Sequence, residues 1–351
     1  MKKLSSVTIS GNEKLGLISN LATMLSAGIP IIETVDSMLQ DAKGNQKIIL
    51  ETLRADLMQG QHVSQSFVKF PRVFDKVTAN IIQASEEAGT LDVTLKDLKD
   101  AIKKQMEFND RVKSALIYPS FILIVFLGVM LLMLTFVVPR ISSVFARLRV
   151  ELPLPTQILI SASNILVESP VQTVLIMLFV IGLIVFLYKR YTQLFVSLLL
   201  SLPYISTLAT EIDLTKFTRS LYLLLYAGIP ITAALELTED VVKKKDVLKA
   251  IQIAKETVLS GRKISEGFKS QKSVFPALII KIIEAGERSG TLDKSMQDAS
   301  EYLDYEVSTK LKTATTFIEP LMLLLVGVMV GGMMLAIIAP IYGLIGTVGG
   351  R

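Results

Sequence analysis

Ala27-Gly28-Ile29-Pro30-Ile31 returns 200 residues later as Ala227-Gly228-Ile229-Pro230-Ile231. Further on, Gly60, Ser64 and Phe67 recur as Gly261, Ser265 and Phe268. Glu86 with Gly89-Thr90-Leu91-Asp92 then recurs as Glu287 with Gly290-Thr291-Leu292-Asp293, now at an offset of 201, so one residue was gained or lost between. The same offset carries Pro119 onto Pro320 and Pro139 onto Pro340. A repeat of this period marks a duplicated structural unit. Neither copy alternates like a strand; both read as helices punctuated by glycine and proline. Gly28 and Gly228 suit the left-handed position past a helix end, and Pro30 and Pro230 the first position of the next helix, which makes a tight corner. At the second motif Gly89 (Gly290) stops a helix, Thr90 (Thr291) caps the next, and Asp92 (Asp293) lies in its first turn, where a negative charge is favoured. The helix that starts there carries Leu91, Leu95, Leu98, Ile102, Val112 and Leu116 at helical spacing. It can run some 25 residues, about 37 Å, before Pro119 is expected to bend it. The second copy offers Leu292, Met296, Ala299, Leu303, Val307 and Leu311.

Those helices lead into unusually apolar sequence. The 351 residues are 51% hydrophobic and 20% charged, and a mean hydropathy of +0.52 is high for a soluble chain. Crossing roughly 30 Å of hydrocarbon takes about 20 helical residues. Three uncharged runs suffice: Tyr118 to Pro139, Val171 to Leu187, and Pro320 to Gly346. A fourth, Tyr191 to Thr210, is broken by Gln193 and Pro203 and reads as a connector. The N-terminal MKKLSSVTIS has no apolar core, so no cleaved secretory signal is expected and the first span serves as its own anchor. Nine Lys and Arg residues near span ends lie on the side of the two repeated domains and four (Arg140, Arg147, Arg149, Arg351) on the other, which places the N-terminus in the cytoplasm. The duplicated unit is therefore a cytoplasmic domain plus the span that follows it. The predicted organisation is an all-α membrane protein with two repeated cytoplasmic helical bundles and three transmembrane helices. Its parts are an N-terminal tail (1–11), a first helical domain (12–117), spans at 118–139, 171–188 and 319–346, an outer loop (140–170), a connector with the second helical domain (189–318), and an outer tail (347–351).

Composition also narrows the chemistry. With no Cys, no Trp and one His, His62, thiolate metal sites and histidine clusters are excluded, and a Ser-His-Asp triad is not expected. No Gly-x4-Gly-Lys-Ser/Thr loop is present, so the chain is not expected to hydrolyse ATP. Glu86 with Asp92, and Glu287 with Asp293, read as turn and helix-start residues before they read as a divalent-metal or acid-base pair. Lys243, Lys244 and Lys245 read as a solvated surface, and His62 as a loop histidine. The net charge of +5 is spread along the chain, which fits an anionic lipid surface and points to no direct nucleic-acid binding. No catalytic, cofactor or metal site is predicted. The three uncharged runs place no charge at membrane depth, Glu319 standing at the edge of the third span, which lowers a transporter or channel reading, the alternative that stays open; a membrane-bound enzyme would need a convergent titratable cluster, and none stands out. Gly327 and Gly331 in the third span would allow close helix approach.

Three features together resemble the platform-protein family of type II secretion systems and type IV pili. They are the duplicated AGIP turn, the duplicated ExxGTL turn, and RVKSALIYP (Arg111 to Pro119, with Tyr118) closing with Val137-Val138-Pro139. The resemblance covers about residues 12 to 346. It implies a non-enzymatic, multi-pass inner-membrane protein that holds two cytoplasmic bundles against a hexameric assembly ATPase. It would help lift pilins or pseudopilins into a growing filament, beside other inner-membrane assembly components and as a homo-oligomer in membrane lipid. The copies differ where Leu17-Ile18-Ser19-Asn20-Leu21 faces Phe217-Thr218-Arg219-Ser220-Leu221; the second is nearer the family's aromatic-and-basic pattern, so a contact special to the second domain is expected. The N-terminal tail is shorter than the leader many members carry.

Overall fold

The computed structural model describes residues 4–148, 154–168 and 203–348, and among them every regular element is helical. The first copy folds as α1 (Gly11–Ser26), α2 (Ile31–Asp41), α3 (Gly44–Met58), α4 (Val63–Val68), α5 (Lys76–Ala88) and α6 (Leu91–Leu132). After a π turn at Met133–Val137 come α7 (Val138–Leu148) and α8 (Leu154–Glu168). The second copy repeats the first six as α9 (Pro203–Tyr226), α10 (Ile231–Thr238), α11 (Lys245–Leu259), α12 (Ile264–Lys269), α13 (Ala277–Ser289) and α14 (Leu292–Val348).

Local chemistry sets the boundaries. Ser10 and Glu13 form a reciprocal capping box at α1, and Asp75 accepts the Thr78 amide at 2.7 Å to start α5. Gly28 and Gly228 both sit at φ +80°, and the amides that follow, of Ile29 and Ile229, reach back to Met24 and Leu224 at 3.0 Å, closing each helix end. Pro30 and Pro230 take ψ near 140° (144° and 140°) and are the caps of α2 and α10, one position earlier than the expected first helical residue. Extended backbone there aims each proline carbonyl at the amide four residues on, 2.9 Å in both copies.

Two compact units divide the chain: Met1–Arg111 with Pro203–Thr309, and Val112–Leu202 with Lys310–Arg351. The first unit holds both bundles. Leu17, Leu21, Leu53, Phe67 and Ile82 are fully buried in the first core, where Phe67 and Phe74 stack with centroids 3.8 Å apart. In the second core Phe217 meets Phe268 and Phe275 edge-on, at 5.8 and 5.9 Å. Val77 and Ile81 of α5 belong to the first copy in sequence, yet they pack into the second core beside Leu214, Phe217 and Leu221. One helix thus joins the two bundles.

In the second unit lie the apolar stretches of α6 and α14, whose helices are the two among the described residues that are long and apolar enough to cross a membrane. Their apolar residues are bare on several faces, Phe121 at 63% and Phe317 at 74% exposure, which water penalises and lipid does not. The expected span at 171–188 lies outside the described residues. α6 continues as helix through Pro119; the change of winding comes at Met133–Val137, just before Pro139. There the Val138 amide bonds Met133, five residues back, and the wider turn makes room for the proline ring against Thr135. The stretch expected as an outer loop, 140–170, includes α7 and α8, and the Ser163 hydroxyl donates to the Leu134 carbonyl in the π turn at 2.6 Å.

Candidate functional site

Each bundle contains the same internal clamp. The Glu86 carboxylate, its side chain 10% exposed, accepts the amides of Val63 at 2.6 Å and Ser64 at 2.9 Å. Glu287 accepts the amide of Ile264 at 2.7 Å, that of Ser265 at 3.4 Å, and the Ser265 hydroxyl at 2.6 Å. A glutamate near the end of one helix thus supplies the acceptor that the start of a short helix 23 residues earlier lacks. Gly89 and Gly290 follow at φ +70° and +74°, and Thr90 and Thr291 immediately precede α6 and α14, with Asp92 and Asp293 in the first turns. Sequence reading places Glu86 and Glu287 in a turn and misses this longer reach; the signal is the equal spacing from Val63 to Glu86 and from Ile264 to Glu287. Among the described residues no group of three or more acidic or histidine side chains could hold a metal ion. The exposed His62 ring lies 3.8 Å from Glu86. Tyr118 and Pro320 are exposed on α6 and α14, and the backbones of Pro119 and Pro340 are helical.

In the lysine run Lys243 and Lys245 are exposed, as expected of a solvated surface, while Lys244 is half-buried and bonded. Asp213 accepts the amides of Lys243 and Lys244, both at 2.7 Å. The Lys244 ammonium donates to Ser206 and to the Thr210 hydroxyl, the latter at 2.5 Å. Lys243 and Lys244 lead into α11, and α9 presents Asp213 as the acceptor for their amides.

Between the bundles lies a cleft of about 590 Å³ lined by α6, α9 and α14. Asp304 is its centre. Arg111 grips it with two hydrogen bonds, 2.7 and 2.8 Å, and Arg219 stands 3.9 Å away. Arg219 is 8% exposed; it donates to the Gln105 side-chain oxygen at 2.9 Å and lies over the Phe108 ring at 5.6 Å. Burial is the main influence on its guanidinium and pushes it below its ordinary value, Asp304 opposing and Arg111 adding to the shift. Lys104 reaches Glu301 at 3.2 Å. On the same wall Asp97 has one buried carboxylate oxygen without a hydrogen-bond partner; burial first, and then Asp100, raise its pKa, against Lys96. Tyr222, another lining residue, is raised by burial and by Asp97. None of these contacts was read from sequence except that Arg219 stands where the copies diverge. The partners diverge too: at the repeat offset Arg219 faces Ser19, and Asp304 faces Lys103.

Comparison with known proteins gives a consistent picture. The model of the family described as Type II secretion system (T2SS), protein F matches residues 17–139 and again 217–340, two blocks that coincide with the duplicated unit. The type IV pilus assembly protein PilC of Thermus thermophilus is 29% identical over 346 residues, 96% of this chain and 84% of that protein. The protein of the same name from Myxococcus xanthus is 26% identical over 343 residues, 97% and 82% of the two chains. The type II secretion system protein F of Aeromonas hydrophila is 26% identical over 340 residues, 95% and 87% of the two chains.

Proposed function

This chain belongs to the type II secretion system protein F family, and from that premise we propose that it couples a cytoplasmic assembly ATPase to the extraction of pilins or pseudopilins from the inner membrane. At the coarser level it is a membrane platform protein of a secretion or pilus-assembly machine. The observation that carries the finer reading is the duplicated unit itself, a polar bundle whose last helix runs on, unbroken, into an apolar stretch. In this reading the bundles face the cytoplasm and meet the motor, a hexamer that hydrolyses the ATP this chain has no phosphate loop to bind. The apolar faces of α6 and α14 offer surfaces along which a pilin's own membrane helix could lie. The protein works as a homo-oligomer beside other inner-membrane components, passes three times through the bilayer with its N-terminus inside, and performs no catalysis. Gly28, Pro30, Glu86, Gly89 and their repeats then serve to hold the bundles rigid under load.

Mild-detergent purification of the tagged full-length protein from its native cells, with crosslinking and mass spectrometry, tests this. Co-enrichment of a Walker-type ATPase and of prepilin-like proteins is the expected result. Reproducible absence of both, with a small solute retained instead, would overturn the reading in favour of a transporter.

A further inference from the structure

We propose that the charged cleft is a clasp between two bundles that rock about the α5 contact, so that the body has a second, open arrangement. The two sides of the inter-bundle joint differ in chemistry. On one side Val77 and Ile81, 6% and 3% exposed, are sunk in the second core, beside Lys76, which pairs with Asp240 at 2.6 Å at the surface; the apolar part of this contact is not screened by salt and serves as the pivot. Across the cleft the joint is held by side chains reaching through a space of about 590 Å³. Arg111 and Lys104 stay 43% and 57% exposed while making their ion pairs, so solvent and salt weaken both.

Asp304 is the element that closes the clasp. It lies on α14 of the second copy, Arg111 on α6 of the first, and the buried Arg219 on α9 is shared between Asp304 and the first copy's Gln105 and Phe108. Three helices therefore converge on one carboxylate. Removing its charge leaves two arginines facing each other, one of them buried, and separation is then favoured. The wall also carries Asp97, one of whose carboxylate oxygens is buried without a hydrogen-bond partner. The pairing is not duplicated with the rest of the unit: the repeat counterparts of Arg219 and Asp304 are Ser19 and Lys103, which could not reproduce it.

The motion would serve the coupling proposed above, but its test does not depend on that reading. Because the chain has no cysteine, Gln59→Cys and Lys249→Cys, two exposed positions on different bundles, can carry spin labels in the full-length protein in lipid nanodiscs. Pulsed electron spin resonance should give one narrow distance for the parent. Asp304→Asn should add a second, displaced distance, and Asp304→Glu should keep the parental one. Circular dichroism confirms folding; should Asp304→Asn fail to fold, the exposed Arg111→Gln replaces it, which removes the ion pair between the bundles without leaving two arginines opposed, so the second distance is expected at a lower population. A parental distance distribution in each folded charge-removing variant would overturn the clasp, whatever co-purifies with the protein.

Discussion

Gly228 and Gly290 occupy backbone that an L side chain enters only with strain, φ +80° and +74°. A β-branched residue at either should cost roughly 1–2 kcal/mol or more. Gly228→Val and Gly290→Val are each expected to lower Tm by several degrees in detergent; an unchanged Tm in both would remove the corner account. These positions were legible from sequence because glycine before an Ile-Pro or Thr-Leu start has few other uses. Gly286 was not: a Cβ there would overlap the Ser295 side chain, a fit that depends on two helices meeting. Asp97 yields a second residue-scale expectation. Its folded pKa is raised, chiefly by burial and then by Asp100, so above that value the ionised group weighs against the fold, and stability is regained as pH falls through it. Asp97→Asn should therefore raise Tm at neutral pH by no more than about 2 °C, since solvent screens the partly open site. The gain should shrink on acidification; a loss of stability at neutral pH would contradict the sign.

At the scale of elements, the repeated helices were readable and their docking was not. Leu95 and Leu98 are buried as their spacing predicts, and Met296, Ala299, Leu303 and Val307 likewise in the second copy. Nothing in α5 announced that Val77 and Ile81 serve the other copy's core, because an amphipathic stripe says that a face is covered and not by what. In α13 the equivalent of Val77 is Leu278, 45% exposed, so the copies share a sequence rhythm and differ in use. Ile81→Asp should leave each bundle folded yet weaken their joint. Calorimetry is expected to replace one unfolding transition with two, the first at a temperature lowered by the loss of a buried side chain, about 2–5 kcal/mol. A single transition at the parental temperature would show that α5 is not the joint.

For the molecule as a whole, the duplication explains why the architecture could be read while the cleft could not. Repeated motifs are strong when they say the same thing twice, and the clasp is built from residues that do not repeat: Arg219 opposite Ser19, Asp304 opposite Lys103. Charges on exposed helices look alike in sequence whether they face water or one another, so only the packing of α6, α9 and α14 separates Arg111 from its neighbours. α14 runs without interruption for 57 residues, about 85 Å. α6 runs for 42 residues before the π turn at Met133–Val137. Neither has a loop at the point where polar sequence gives way to apolar. Such a continuous helix passes from polar into apolar sequence with its backbone amides and carbonyls already paired along the way, so nothing at the crossover is left for hydrocarbon to penalise.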